Sequence, residues 1–214
     1  MFVVASVSFR LLYVMIILGH DRRKIIRTAV TEHPTAALAL ASGNRVILAH
    51  IPDSRRDFVE KTLPECGVAF GKEVAPLRRL AMACPAKPTC GLAMTHAEQT
   101  LPRYLAELER AGLGGVDVMI RMAGCPNGCS RPPTAEIGIA GYGKNDYVLM
   151  VGGARNGSRL ARVLYPRLGE DELIQALSGI VRGIRDRNPR HLLAGEFLHR
   201  SSDAELKALA AIAE

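Results

Sequence analysis

The sequence predicts an α+β fold: short apolar strand-like runs mixed with amphipathic helices, in one domain or two small ones. Three observations support this. First, 214 residues with 48% apolar and 23% charged side chains is the balance of a folded globular chain, not of a disordered, collagen-like or coiled-coil one. Second, apolar residues alternate with a period of two in several short segments and recur at helical spacing in others. Third, no repeat of solenoid length runs through the chain.

Taken in order, residues 1–24 form an apolar segment that is left unassigned. Arg10 interrupts the run from Met1 to Gly19, no basic region precedes it, and no small-residue cleavage site follows, so it is a poor signal peptide. Leu11 to Leu18 is too short to span a bilayer. Ending at Asp21-Arg22-Arg23-Lys24, it reads either as an interfacial anchor or as a buried strand, to which Val14, Ile16 and Ile17 are suited.

Residues 25–74 read as a partial ferredoxin-like half-domain. Arg45 to Ile51 is a buried strand closed by Pro52. Ser54 then opens a helix, with Asp57 three positions on and Phe58, Val59 and Leu63 as its apolar positions. A strand followed by a helix is half of a βαβ unit. Cys66-Gly67 is a turn, and the stretch to Pro76 a linker.

Residues 75–214 form the larger domain. Leu101, Leu105 and Leu108 share a helical face that ends at Gly112 to Gly115. Val116, Val118, Ile120 and Met122 alternate as a strand, and Cys125 follows its end. Ala135 to Ala140 and Tyr147 to Val151 form a hairpin about the Gly141 to Asp146 turn. Beyond Gly152-Gly153, Leu173, Ile174, Leu177, Ile180, Val181 and Ile184 define a helix with the acidic start Glu170-Asp171-Glu172. A last helix, capped by Ser202 with Glu205, carries Leu206, Leu209 and Ile212.

The cysteines narrow the function. Of five, Cys84 and Cys90 form a C-x5-C segment and Cys125 and Cys129 a C-x3-C segment. An odd count argues against a secreted disulfide scaffold. Neither pair is the C-x2-C knuckle that grips a single zinc ion. Pro85 and Pro126, each directly after a cysteine, suit loops around an iron–sulfur cluster. Gly91, Gly124 and Gly128 beside them suit backbone that must approach such a cluster. An iron–sulfur cluster, a zinc ion, and unligated or disulfide-bonded thiols all remain open on spacing alone. Cys66 stands outside both pairs and reads as a small buried hydrophobe. The net charge of +7 favours an acidic protein or an anionic cofactor as partner. With 5% aromatics and no tryptophan, the stacking platforms of a single-strand binder are scarce, which ranks nucleic acid below these partners.

Four segments in order, Ala83 to Met94, Met122 to Arg131, Ala135 to Gly138 and Gly152 to Arg159, resemble the C-terminal part of the hemoprotein of the siroheme sulfite/nitrite reductase family. The resemblance runs from about residue 75 to 200. It implies that Cys84, Cys90, Cys125 and Cys129 hold one [4Fe-4S] cluster and that Cys129 bridges it to a siroheme. It further implies that Asn127 and Arg131 lie near the macrocycle, and that Arg131, Arg155 and Arg159 meet its carboxylates. The implied activity is the six-electron reduction of sulfite to sulfide in the cytoplasm, with electrons from an acidic ferredoxin or a flavoprotein and with neither nucleic acid nor membrane as partner.

Family members are more than twice this length and place the cofactor between two pseudo-symmetric halves. The family's Thr-x-Asn-Gln strand would fall at Ala41 to Asn44, where a shifted asparagine is all that remains. The expectation is therefore a chain that holds a cluster but reduces sulfite poorly without a second half. The alternatives are a nitrite reductase of the same family, a cluster-binding module or remnant without turnover, and a zinc-stabilised interaction domain.

Overall fold

Ile137–Gly141 is buried at all five positions, and a strand enclosed on both faces belongs in the middle of a sheet. In the computed structural model it does lie there. The structure describes residues 2–5, 11–18, 25–31, 37–41, 45–49, 51–68, 74–189 and 192–212, in two units, Met1–Gly71 and Lys72–Glu214.

The first unit begins with β1 (Phe2–Ala5), β2 (Leu11–Leu18) and β3 (Ile25–Thr31), an antiparallel sheet with β2 in the middle. Leu11 to Leu18 is thus a strand; the burial of its side chains lies outside the described residues, as does Asn44. β4 (Ala37–Ala41) and β5 (Arg45–Ala49) form a separate antiparallel hairpin. The strand expected over Arg45 to Ile51 is present but shorter, and its Leu48 is 41% exposed rather than buried. The helix α1 (Asp53–Glu65) starts one residue before Ser54, behind Pro52, with no side-chain cap. None of its residues is buried and Phe58 is 60% exposed. Cys66 ends α1 and is exposed, which corrects its reading as a buried hydrophobe: a helix with no buried face carries its last residue into solvent too.

The second unit is a mixed five-stranded sheet in the order β10-β9-β8-β7-β6. Its strands are β6 (Met82–Ala83), β7 (Ile120–Ala123), β8 (Ile137–Gly141), β9 (Tyr147–Val151) and β10 (Arg162–Leu168). β6, β7 and β8 run parallel, whereas β9 and β10 are antiparallel to their neighbours. The helices are α2 (Pro76–Arg79), α3 (Ala97–Arg110), α4 (Glu170–Arg187), α5 (Ala194–Arg200) and α6 (Asp203–Ala210). α3 packs on β6 and β7, α4 and α5 on β9, and α6 on α4 and β10. No helix among the described residues is long and apolar enough to cross a membrane.

Each helix follows its apolar stripe. In α3, Leu101, Leu105 and Leu108 are buried with Tyr104, and Gly112 at φ +74° takes the left-handed turn beyond its end. In α4, Leu173, Leu177, Ile180, Val181 and Ile184 are buried, while Ile174 is only partly so. Ser202 Oγ accepts the Glu205 N–H at 3.3 Å, and the Ser202 N–H donates to Glu205 Oε2 at 2.7 Å, a reciprocal cap worth about 1 kcal/mol. The strand expected from Val116 onward is ladder only from Ile120, because β8 starts opposite Ile120 at Ile137. Val116 and Val118 are nonetheless buried.

Gly179 and Gly183 let α6 approach α4. A methyl at Gly179 would meet the Leu209 carbonyl carbon at 2.8 Å and Ala210 Cα at 3.1 Å, so backbone has to move. Gly179→Ala gains about 1 kcal/mol of helix propensity but overpacks at a cost of about 1–3 kcal/mol. Its melting temperature should therefore fall; a rise would contradict this packing.

Arg78 donates to both oxygens of Glu109 at 2.6 and 2.7 Å, tying α2 to α3 and holding the Glu109 carboxyl below its ordinary range. That contribution is present above the usual glutamate value and is lost as pH falls through the lowered one. With side chains 38% and 28% exposed, Glu109→Gln should cost less than about 1 kcal/mol at neutral pH. In pH-dependent melts it should also remove part of the acid-side loss.

Candidate functional site

The two cysteine segments leave the sheet side by side. β6 and β7 pair in parallel, with Ala83 opposite Met122, and the Cys84 N–H extends the ladder to the Met122 carbonyl at 3.0 Å. Because the strands are parallel, Cys84 and Cys125 emerge from the same edge of the sheet. The turn from β8 to β9 lies at this edge as well.

Gly124 is the point of closest approach. A Cβ there would stand 2.6 Å from Ala86 Cβ, 3.2 Å from Ala93 Cβ and 3.1 Å from the Thr95 carbonyl oxygen. Its carbonyl accepts the N–H groups of Met94 and Thr95 at 2.8 and 3.1 Å, and its own N–H donates to Cys84 Sγ at 3.2 Å. Backbone N–H groups that reach sulfur are a feature of cysteine loops around an iron–sulfur cluster.

The loops themselves are held in defined turns. The Cys90 N–H bonds the Ala86 carbonyl at 2.7 Å, and the Arg131 N–H bonds the Gly128 carbonyl at 2.6 Å. Buried Ser130 donates from Oγ to the Met122 carbonyl at 2.8 Å. Ala86 and Arg131 sit in the left-handed region at φ 51° and 55°, which costs about 1–2 kcal/mol for a non-glycine residue and persists because these bonds fix the turns.

The side chains are less gathered than the backbone. Cys125 is buried, Cys84 and Cys90 are half-buried, and Cys129 is exposed, as are Asn127 and Arg131. No three histidine, cysteine or acidic side chains among the described residues form a group able to hold a metal ion. The donor set nonetheless suits an iron–sulfur cluster chemically: four thiols on two apposed turns, one of them already receiving a backbone N–H.

Arg155 and Arg159 are held elsewhere. Arg155 pairs with Glu136 at 2.9 Å and with Asp117 at 3.2 Å, and Arg159 with Glu196 at 2.9 Å. Glu136 precedes β8 and Arg159 Nε donates to the Gly152 carbonyl just after β9, so both arginines lie at the sheet edge opposite the cysteines. Glu136 itself, 1% exposed, accepts the backbone N–H groups of Met119 at 2.7 Å and Gly195 at 2.8 Å. Sequence reading passed over this residue, although a lone acid in the apolar run Ala135 to Ala140 was a signal.

Gly124→Ala should push the two turns apart, at a cost of about 1–3 kcal/mol. The expected result is a lower melting temperature together with faster modification of buried Cys125 by a thiol reagent; unchanged reactivity would show that the turns are not interlocked there.

No family model matches the chain. The sulfite reductase [NADPH] hemoprotein beta-component of Staphylococcus saprophyticus is 33% identical over 184 residues, which is 84% of this chain and 32% of that protein. The Xanthomonas campestris protein of the same name is 36% identical over 181 residues, 81% of this chain and 32% of its own length. That of Shouchella clausii is 38% identical over 170 residues, 78% and 30%. The chain thus spans about a third of the length of the curated relatives it matches. Among solved structures, the NirA protein of Mycobacterium tuberculosis superposes with a TM-score of 0.64 at 22% identity, covering 79% of this chain and 33% of that one. Dissimilatory sulfite reductase I does so with 0.65 at 10% identity, covering 83% and 62%. These two show the fold, α+β as expected. The sequence matches show the kinship: across most of its length this chain is homologous to about a third of the sulfite reductase hemoprotein beta-components.

Proposed function

We propose that residues 75–214 are the siroheme- and [4Fe-4S]-binding domain of a sulfite reductase hemoprotein, corresponding to its C-terminal portion. Residues 25–74 would be a partial ferredoxin-like half-domain, and residues 1–24 a segment without assigned role. The observation that carries the proposal is the emergence of both cysteine turns from one edge of adjacent parallel strands, locked at Gly124. Cys84, Cys90, Cys125 and Cys129 would hold the cluster, and exposed Cys129 would be the ligand shared with the haem iron.

When bound, the pair would supply the stored electrons for reduction of sulfite to sulfide. The chain's own residues prepare the site. The Gly124 N–H reaches Cys84 Sγ, and exposed Arg131 and Asn127, on the turn that carries Cys129, are available to an anionic ligand. Arg155 and Arg159 are neutralised within this chain, which leaves Arg131 as the arginine of the three available to a carboxylate. An acidic ferredoxin or a flavoprotein is the electron donor suited to a chain of charge +7; the relatives are named for NADPH. The cytoplasm, where thiols stay reduced, is the suitable compartment. A second reading, a cluster-binding module that turns over only with another polypeptide, is favoured by the matched third of the relatives' length.

Anaerobic reconstitution with iron, sulfide and siroheme should give about four irons and four sulfides per chain and a haem absorption band. Cys84→Ser should abolish the cluster. Cys129→Ser should uncouple the haem from it, seen as a shifted haem band. A chain that takes up zinc alone contradicts the proposal, and iron with sulfide but no haem band supports the module.

A further inference from the structure

Most arginines of the second unit hold a carboxylate, as Arg78, Arg155 and Arg159 do. Arg121 does not. It stands on β7 between Ile120 and Met122, both fully buried in the core, so its side chain leaves on the other face of the sheet. There its Nη1 donates to Thr134 Oγ1 at 3.2 Å, while its Nε is buried with no partner. The neighbouring charge is of the same sign. Burial first, and then the charge of Arg131, depress the Arg121 guanidinium. Neither arginine is paired with an acid among the described residues.

A half-buried cation with an unmet donor and a like-charged neighbour is costly. Local geometry nevertheless maintains it. Thr134 Oγ1 donates to the Arg131 carbonyl at 3.0 Å, the turn Pro132–Thr134 packs its Pro132 backbone on Gly138, where no Cβ would fit, and Gly138 lies opposite Arg121 in the ladder. We propose that Arg121 and Arg131 together form a binding site for a group with paired anionic oxygens, either a carboxylate of a bound tetrapyrrole or a free oxyanion. Two planar guanidinium groups suit such a group. Where the anion belongs to the macrocycle the inference rests on the function proposed above; the cation pair itself does not.

The test is thermal melting of the full chain titrated separately with sulfate and with uroporphyrin. Wild type should be stabilised by at least one of them, uroporphyrin alone indicating the macrocycle carboxylate and sulfate indicating a free oxyanion. Arg121→Met should melt higher than wild type without anion and lose the anion-dependent shift. Arg131→Gln, at an exposed position, should weaken the anion by about tenfold. Absence of any shift in wild type overturns the inference. So does an Arg121→Met variant that melts lower yet keeps its shift, or Arg131→Gln with undiminished affinity. Iron content after reconstitution separates the two ideas: a cluster without an anion shift overturns this inference alone, and an anion shift without a cluster overturns the proposed function alone.

Discussion

The pairing of Met82–Ala83 with Arg121–Met122 is the contact on which the cysteine site depends. It is short, and a two-residue parallel ladder has little stability of its own. Parallel neighbours also need a long crossover between them, which α3 supplies by burying Leu101, Leu105 and Leu108 against β6 and β7. The apolar face of one helix therefore fixes where two loops end. At the far side of that crossover, Gly124 closes the arrangement, since any larger residue would separate the turns that the ladder has brought together.

The two edges of the sheet are built for different tasks. At one, Glu136 is enclosed by two backbone N–H groups and Arg155. A buried ion pair adds little net stability but is expensive to break, so this edge specifies how β7, β8 and the start of α5 fit together. At the other edge Cys129 and Arg131 are exposed, and so are Leu92, Met94 and Tyr142. Charge is neutralised where the fold is anchored and left available where a ligand is to be met.

Much of this was legible in the sequence, and physics explains where it was not. The helix from Glu170 and the cap at Ser202 were readable because their signals are local: a stripe at helical spacing, and a serine with a glutamate three residues on. The hairpin from Ile137 to Val151 was readable for the same reason. β10 was not, because Pro166, two register shifts and an edge position remove any clean alternation. α5 has seven residues, too few for a period to show. The cysteine spacings declared the site, yet the partners of Arg155 and Arg159 depend on contacts with residues such as Glu136 and Glu196, which no local pattern records. Exposed Cys66 and Leu48 belong to the same class, since burial follows from packing and not from residue type.

The central claim is that cysteines from two separate turns converge on one metal cluster. Iron K-edge absorption fine structure of the anaerobically reconstituted chain tests it most directly. The account predicts an iron environment of sulfur ligands with a resolved iron–iron shell, lost in Cys125→Ser as well as in Cys90→Ser. A spectrum of isolated iron with oxygen or nitrogen neighbours, or one unchanged by removing a cysteine from either turn, would contradict it.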